Sequence, residues 1–412
     1  MSRTPLDIAR SIGDRFVAWL GPAGRPDPAK CPWVTRRGPF SPTHAHSPPF
    51  MARALYLLYD ATGDRRYKAA ADRYAIFSFA FPRDPVHPAA DRQRQAFLLQ
   101  RLLAAPDAPW DPRAQNQILS RSWVYGCALW PAWGEFRRHN PHEDCYDARA
   151  DALFEWVQRH RTDRGHAYNI GYRPTASPGV DVPDCAFTDD LRLTGTGIVA
   201  YYARTGQPEA LEGALRLADY YLRDHQAGRA EGAFLPIPGT WCIGPWPLEI
   251  HCEHFAAVRM DQSGWGWTAR GAVEFLTHLH ACLPPEHPRA ARMREVCVRS
   301  LRWQFTCQFP DGAVGMHTLD DHWLGMTAAP LLVAADLRRA GWLDAAGEAE
   351  FAAPLSRART WLRDAATEEM LDAGGYRRVT GRTTPTPPEN LVWALSWVVE
   401  ALVRWEESAP RD

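Results

Sequence analysis

Two stretches of this sequence repeat one pattern: an apolar helix, a Thr-Gly turn, and a second helix rich in Ala and Tyr. The first reads LYDATGDRRYKAAADRY and ends at Tyr74, and the second reads YYARTGQPEALEGALRLADYY and begins at Tyr201. In both, apolar residues recur at the 3.6-residue spacing of a helix, and a glycine follows where helix C-termini favour one. Repetition of such a unit predicts an all-α fold of stacked helical hairpins.

The same pattern along the 412 residues gives five hairpins, with one unpaired helix at each end of the chain. The predicted helices cover about 6–20, 48–60, 67–77, 117–136, 144–160, 190–204, 208–224, 264–282, 288–305, 324–340, 348–364 and 390–405. The stretch 21–49 is expected to be irregular. If the two terminal helices pair, they form a sixth hairpin and close a ring. We therefore predict an (α/α)6 toroid with a single domain over residues 1–412, since no βαβ alternation indicates a parallel sheet.

Composition excludes several classes of function. The 47 basic and 48 acidic residues give a net charge of −1, without the dense basic patch expected of a nucleic-acid-binding protein. No apolar run approaches the length that spans a membrane, and the N-terminus does not resemble a signal peptide. The nine cysteines form no CxxC pair, so we expect reduced thiols and a cytoplasmic protein. The 18 tryptophans suit either packing between helices or contacts with sugars.

Six long loops alternate with the predicted hairpins. They cover about 21–47, 80–116, 161–188, 226–262, 306–322 and 365–388, and each precedes the inner helix of a hairpin. In a closed ring they gather on one face, and loops carried by a rigid scaffold commonly hold the functional residues. We expect the functional site on this face.

Asp189 and Asp190 stand at the end of one of these loops, where a helix begins. Adjacent carboxylates here commonly stabilise the positive end of the helix dipole, with Thr188 as the N-cap. The alternative is that one carboxylate, Asp189 above all, acts as a general acid or base in a cleft, its pKa tuned by burial and by acidic neighbours such as Asp181 and Asp184.

The helix after these aspartates contains Gly195-Thr196-Gly197-Ile198-Val199-Ala200, which fits the GxGxxA pattern of dinucleotide-binding proteins. That pattern requires an apolar strand before it, and TDDLRLT is not one. The glycines are better explained by close packing of the helix. The sequence also lacks a GxSxG elbow and a GxxxxGK[ST] phosphate loop, so serine hydrolysis and ATP chemistry have no support.

The loop leading to Arg270 carries the densest set of aromatic and polar side chains. A metal site at His251-Cys252-Glu253-His254 is one interpretation, but the HxxH spacing is not that of a zincin helix. We favour hydrogen bonds to sugar hydroxyls or a histidine that acts as a general base, and simple packing of the loop is a further alternative. The candidate substrate-binding residues here and at equivalent positions in other loops are Arg37, His44, His46, Trp241, Trp246, Glu253, Asp261, Trp265, Trp267, Arg270, Asp321, His322 and Trp323.

Three segments resemble the six-hairpin glycosidase superfamily, and most closely its unsaturated glucuronyl and rhamnogalacturonyl hydrolases. PPFMARALYLLYDATGDRRYKAAADRY is similar to the opening helix pair, TDDLRLTGTGIVAYYARTG to the helix of the catalytic aspartate, and Trp267-Thr268-Ala269-Arg270-Gly271 to a Trp-x-x-Arg-Gly motif. The resemblance implies that Asp189 is catalytic, that Trp267 and Arg270 face substrate, and that neither metal nor cofactor is needed. Where glucuronyl hydrolases carry a second aspartate, this chain has His44-Ala45-His46.

The sequence thus predicts a metal-independent glycoside hydrolase that acts on short, acidic oligosaccharides. Asp189 would be the acid or base, helped by Asp190 or His254, and Arg37 or Arg270 would hold a substrate carboxylate. Trp241, Trp265, Trp267 and Trp323 would stack on sugar rings. A polysaccharide lyase, a sugar epimerase and a non-catalytic toroid that binds a glycan or a protein remain alternatives.

Overall fold

The computed structural model describes residues 3–22, 24, 26–27, 29–31, 42–80, 126–159, 186–222, 245–246, 266–315, 322–372, 374–377 and 392–409. The helices of the outer layer are α1 (Pro5–Trp19), α3 (Arg65–Ala80), α5 (Asp147–Arg159), α7 (Pro208–Leu222), α9 (Ala290–Thr306) and α11 (Ala345–Ala365). Those of the inner layer are α2 (Pro42–Thr62), α4 (Ala128–Trp133 with Gly134–His139), α6 (Thr188–Thr205), α8 (Gly266–Ala281), α10 (Leu324–Arg339) and α13 (Val392–Val403). A short helix, α12 (Glu368–Asp372), and a 3-10 turn, Trp405–Ser408, complete the helical elements described.

The inner helices form a closed ring in the order α2, α4, α6, α8, α10, α13 and back to α2, each in contact with the next. The first helix of the chain, α1, packs against the last long one, α13, and so supplies the sixth hairpin. The predicted (α/α)6 toroid is therefore confirmed. Each inner helix begins where a long loop ends, which places all six N-termini on one face, the long-loop face. The opposite face carries the short turns within the hairpins and is called the short-turn face.

The turns that defined the sequence repeat have the expected backbone. Gly63 and Gly206 adopt φ values of 70° and 69°, and each donates its N–H to the carbonyl four residues earlier. Only glycine reaches this left-handed conformation without steric strain. These two glycines therefore end α2 and α6 and direct the chain into the outer layer.

The start of α2 differs from the sequence prediction. We expected 21–49 to be irregular and a helix from about Pro48, whereas α2 begins at Pro42 and contains both Pro48 and Pro49. Each proline removes one backbone donor from the helix. The side chains from Ser47 to Met51 are buried in the ring, and this tertiary burial outweighs the local cost. His44 and His46 are consequently helical residues, not loop residues.

Helix α4 is irregular where the sequence predicted one helix over 117–136. Its first segment, Ala128–Trp133, is π-helical, and Trp130 has extended backbone angles, φ −144° and ψ 129°. Pro131 follows directly and lacks a backbone N–H. Interruptions of this kind commonly mark functional positions in helices.

Glycines let the ring helices approach closely. A Cβ at Gly195 would lie 2.6 Å from the ring of Phe275 on α8, and one at Gly197 would lie 2.8 Å from the carbonyl oxygen of Gly126, just before α4. The two glycines of the GxGxxA match thus face the two neighbours of α6. The packing interpretation explains both of them.

Two short antiparallel ribbons lie at the long-loop face. β1 (Ala186–Phe187) pairs with β2 (Pro245–Trp246), and β3 (His322–Trp323) pairs with β4 (Tyr376–Arg377). β1 leads directly into α6 and β3 into α10, so each ribbon ties a later loop to the start of an inner helix. Within the described ranges, no helix is long and apolar enough to cross a membrane.

Candidate functional site

Asp189 and Asp190 lie in the first turn of α6, directly after Thr188. The two aspartates therefore lie at the N-terminal end of an inner helix, on the long-loop face, as the sequence predicted. Of the other candidates, Arg37, Trp241, Glu253, His254, Asp261, Trp265 and Asp321 lie outside the described residues, as do Asp181, Asp184, His251 and Cys252.

The β1–β2 ribbon brings a second candidate to the start of α6. Trp246 is paired with Ala186, three residues before Asp189. Paired strands lie about 5 Å apart, so the loop that carries Trp246 runs beside the chain that leads to the aspartates. Two loops predicted separately to form the site therefore meet here.

Trp267 lies in the first turn of α8, the ring neighbour of α6. His44 and His46 lie in the first turns of α2. Since all inner helices begin at the long-loop face, the backbone of these three residues surrounds the same end of the ring as Asp189. Their positions agree with a shared site, and their roles remain predictions.

The side of α6 that faces the ring axis follows from its contacts. Gly195 and Gly197 face the neighbouring ring helices, and the ring of Tyr201 stacks on Phe154 of the outer helix α5 with centroids 4.3 Å apart. Thr196 lies between the two glycines and on the side away from Tyr201. It is 2% exposed and faces the interior of the ring.

Arg270 belongs to a buried cluster on the ring axis, called here the axis ion cluster. Its members lie on α2, α8, α10 and α13, except one that directly follows α13. They are Arg53, Arg270, Glu274, Asp336, Glu400 and Arg404. The Arg270 guanidinium is 1% exposed; its Nη1 lies 2.7 Å from Asp336 Oδ2 and its Nη2 lies 3.3 Å from Glu400 Oε1. Its charge is already matched by carboxylates of the protein.

The sequence predicts that Arg270 contacts a substrate carboxylate, whereas its described partners are carboxylates of the protein. The Trp-x-x-Arg-Gly resemblance implied that Arg270 faces substrate; in the structure Arg270 faces the ring axis and its side chain is 1% exposed. A substrate carboxylate would have to displace a buried ion pair, which is costly. Contact of Arg270 with substrate remains a prediction. The contacts described for Arg270 are those of a buried arginine that balances the charge of carboxylates within the protein.

The pKa values of four members of the cluster are shifted in the direction that favours their charged forms. Burial by itself would raise the pKa of Glu274, but the charges of Arg270 and Arg53 outweigh burial and hold that pKa below its usual range. For Asp336, burial likewise opposes Arg270 and Arg404, and the two arginines again lower the pKa. Arg404 and Arg53 lose solvation on burial, yet the surrounding carboxylates raise the pKa of both. Within the cluster three arginines face three carboxylates, and Glu407 adds a further carboxylate 2.9 Å from Arg404.

His322 and Trp323 point to opposite sides of their strand, as β-strand alternation requires. The His322 ring contacts Phe309 and, in the outer helix α11, Trp361, and its Nε2 lies 3.6 Å from Asp311 Oδ2. Trp323 is 1% exposed and belongs to the hydrophobic core. His322 is therefore directed to the outer layer, and Trp323 does not offer an open face for a sugar.

Sequence reasoning overlooked several axis-facing residues. Arg53 and Glu274 are charged residues among the apolar residues of their helices. This pattern in the sequence could have identified them as buried and paired. The guanidinium of Arg53 lies 4.9 Å from the ring centroid of Trp130, and the Trp130 ring contacts His278 edge-on at 5.3 Å. Among the described residues, no three His, Cys, Asp or Glu side chains come together as a metal site.

Comparison with known proteins gives a consistent result for architecture. No protein-family model matches the sequence, and no curated protein matches it. Solved structures do match over nearly the whole chain. An unsaturated glucuronyl hydrolase specific for heparin aligns with a TM-score of 0.61 at 10% identity, covering 98% of this chain and 97% of its own. The chain has the fold of the six-hairpin glycosidases.

Two further toroids align as fully. A polysaccharide lyase gives a TM-score of 0.59 at 14% identity, covering 98% of this chain and 99% of its own. An inactive variant of an alpha-1,6-mannanase of Salegentibacter sp. HEL1_6, in complex with alpha-1,6-mannotetrose, gives 0.55 at 12% identity, covering 98% and 100%. At these identities the likeness concerns the toroid fold, and the superfamily resemblance inferred from sequence is confirmed at that level.

Proposed function

We propose that this protein is a carbohydrate-active enzyme, a metal-independent glycoside hydrolase that acts on short, acidic oligosaccharides. The observation that carries the proposal is the position of Asp189 in the first turn of an inner helix, beside the Trp246 ribbon, on the long-loop face of a glycosidase-type toroid. The three solved toroids named above are carbohydrate-acting enzymes by name, which supports the reaction class.

Helix geometry favours position 189 over position 190 for a role at the axis. Positions 189 and 196 are seven residues apart, which falls only about 20° short of two full turns. Position 189 therefore shares a helical face with Thr196, on the axis side. Positions 190 and 201 are eleven residues apart, about 20° beyond three full turns, so position 190 shares the outward face with Tyr201. Asp189 is the proposed acid or base, and Asp190 the proposed helix cap.

One of the similar solved structures supports a role for Asp189 and Asp190. The mannanase variant described as inactive has two consecutive aspartates replaced by alanine. Asp189 and Asp190 are likewise consecutive. A carboxylate in the first turn of a helix is stabilised in its ionised form, which suits a group that accepts a proton from an attacking water.

The decisive experiment compares Asp189→Asn with Asp190→Asn on saturated and unsaturated oligosaccharides with acidic and neutral ends. We expect Asp189→Asn to lower kcat by about 10²- to 10⁴-fold while substrate binding, measured by calorimetry, is kept. Asp190→Asn should lose less activity and more stability. Full activity of Asp189→Asn on the true substrate would rule out the mechanism.

A lyase is the second candidate, favoured by the similarity to the polysaccharide lyase. The two reactions differ in the ultraviolet absorbance of the conjugated uronate double bond. Absorbance falls as a hydrolase of unsaturated uronates consumes this bond, and it rises as a lyase creates it. The same assay therefore separates the two functions.

A further inference from the structure

Arg270 lies near the start of α8, but its guanidinium contacts residues far from the long-loop face. Its Nη1 lies 2.7 Å from Asp336 Oδ2, and Asp336 is in the last turn of α10. Its Nη2 lies 3.3 Å from Oε1 of Glu400, which is in the last turn of α13. A further carboxylate, Glu274, comes one turn later in α8 itself. Since all inner helices begin at the long-loop face, the Arg270 side chain extends along the axis away from the loops.

The charged end of Arg270 is closed off from solvent. Its side chain is 1% exposed, and neither Nε nor Nη1 is accessible. Burial opposes ionisation of Glu274 and Asp336, yet the charge of Arg270 helps to lower the pKa of both. A substrate that took the guanidinium would leave these carboxylates buried without their partner, which is strongly unfavourable. The contacts of Arg270 therefore suit a residue that connects helices.

Phe275 connects α8 to the helix that carries Asp189. It directly follows Glu274 in sequence and is fully buried. Its ring packs against the backbone of α6, where a Cβ added to Gly195 would lie 2.6 Å from the ring. Gly195 is six residues after Asp189, about 9 Å along the helix. Because such close packing transmits displacement, a shift of α8 would move the start of α6 as well.

We propose that Arg270 is a positioning residue, which fixes α8 against α10 and α13 and, through Phe275, holds α6 and Asp189 in place. This inference rests on the proposed function of Asp189. Displacing a reacting group by 1 Å can cost about 100-fold in rate, so a residue outside the site can control turnover in this way. Recognition of a substrate carboxylate then falls to groups other than Arg270.

Kinetics of Arg270→Lys distinguish positioning from substrate binding, because lysine keeps the charge and loses the planar fork of the guanidinium. The substrates are the acidic oligosaccharide that the protein turns over and the same compound after reduction of its carboxylate to an alcohol. We expect kcat to fall about 10- to 100-fold on both, with little change in KM. An arginine that bound the carboxylate would instead raise KM for the acidic compound alone.

Asp336→Asn provides a second variant that leaves Arg270 itself intact. If Arg270 acts through its ion pairs, Asp336→Asn should lower kcat on both substrates in the same way. The two residues would then act as one unit, so the double variant should lose no more than the larger single loss. If Arg270 bound substrate, removal of its competing carboxylate would strengthen binding of the acidic compound.

The matched control is Arg338→Lys, at the C-terminal end of α10 on the short-turn face. The Arg338 side chain is 2% exposed, donates to both carboxylate oxygens of Glu348, and donates to the carbonyl oxygen of Glu407. It is as deeply buried and as fully paired as Arg270. Arg338→Lys should therefore lower the melting temperature by a similar amount, and leave kcat and KM unchanged well below that temperature.

Hydrogen exchange measured by mass spectrometry tests the positioning itself, without any substrate. In Arg270→Lys, amides in residues 270–276 of α8 and 192–198 of α6 should exchange about tenfold faster, because both helices are held less firmly. In Arg338→Lys, the faster exchange should be confined to the C-terminal end of α10 and the turn Trp405–Ser408.

Three results would overturn the proposal. They are a loss confined to the acidic compound, an equal kinetic loss in Arg338→Lys, and unchanged exchange of α6 in Arg270→Lys. If Arg270→Lys does not fold, Asp336→Asn carries the same measurements. Inactivity of the unaltered protein towards every oligosaccharide would contradict the proposed function alone, since hydrogen exchange still decides whether Arg270 holds α8 and α6 in place.

Discussion

Arg53 and Glu274 form an ion pair across the diameter of the ring, since α2 and α8 are separated by two helices in either direction. Glu400 from α13 joins Arg53 at 2.7 Å, so the pair closes the axis together with the rest of the cluster. Opposite walls of the toroid are thereby connected through side chains, in addition to the contacts between neighbouring helices.

Removing one charge from this pair should destabilise the fold strongly. Glu274→Gln leaves the buried Arg53 and Arg270 short of one negative charge, and breaking a buried pair typically costs about 3–5 kcal/mol. Urea unfolding followed by circular dichroism measures the free energy of unfolding. The matched control is Glu350→Gln, which breaks the exposed pair with Arg302 and should cost less than about 1 kcal/mol. Equal losses in the two variants would show that the axis cluster contributes no more than a surface pair.

Stability should fall in two stages as pH decreases. The pKa of His278 is lowered by burial, so stability is complete above its ordinary value of 6.5 and declines as pH falls below it, because the unfolded chain binds the proton more readily. The pKa values of Glu274 and Asp336 are lowered by their arginine partners, despite burial, from 4.5 and 3.8, which adds a second loss below about pH 4.5.

His278→Gln tests the first stage. Denaturation midpoints of this variant should change less between pH 7 and pH 5 than those of the unaltered protein. The pKa of His280 is also lowered, by burial and by the charge of His287, so His280→Gln should remove a second part of the loss in that interval. An unchanged slope in the His278 variant would assign the first stage to other groups. The second stage should persist in all three proteins.

A methyl group at Gly195 or at Gly197 should destabilise the packing of α6 against its neighbouring helices. Gly195→Ala would place Cβ 2.6 Å from Phe275, and Gly197→Ala would place it 2.8 Å from a backbone oxygen, so overpacking should cost about 1–3 kcal/mol in each. Gly347→Ala in α11 is the control, since its nearest neighbour at 3.3 Å is the end of the Leu343 side chain. Alanine favours helices, so this control should be neutral or slightly stabilising in thermal unfolding.

Thiol reactivity should distinguish one of the described cysteines from the others. Among these six, Cys145 is exposed, whereas Cys31, Cys127 and Cys297 are buried. Burial also raises the pKa of Cys307 to about 11, which reduces its reactive thiolate at pH 8. N-ethylmaleimide with peptide mass spectrometry should label Cys145 first. Labelling of Cys297 at the same rate would indicate that the ring opens far more readily than its packing suggests.

The architecture was predictable because its signals are local. Apolar spacing and the glycines at 63 and 206 determine where helices run and end, and a count of hairpins then implies a closed ring. The start of α2 was not predictable in this way, because Pro48 and Pro49 oppose a helix locally and only burial in the ring compensates for them.

The position of Asp189 at a junction between a loop and an inner helix could be predicted from sequence, and its role stays a prediction. The surroundings of Arg270 could not be predicted. What Arg270 contacts depends on Glu400, which is 130 residues away in sequence, and no spacing within one helix reveals such a partner.

The pairing of α1 with α13 has a consequence for biosynthesis. On the ribosome, α1 emerges long before its partner α13, so the sixth hairpin cannot form until α13 has been synthesised. Until then, Arg53 and Glu274 lack the carboxylate of Glu400, and the nascent ring exposes charged and apolar surfaces together. Arrival of α13, more than synthesis of any single earlier hairpin, is the event that closes this ring.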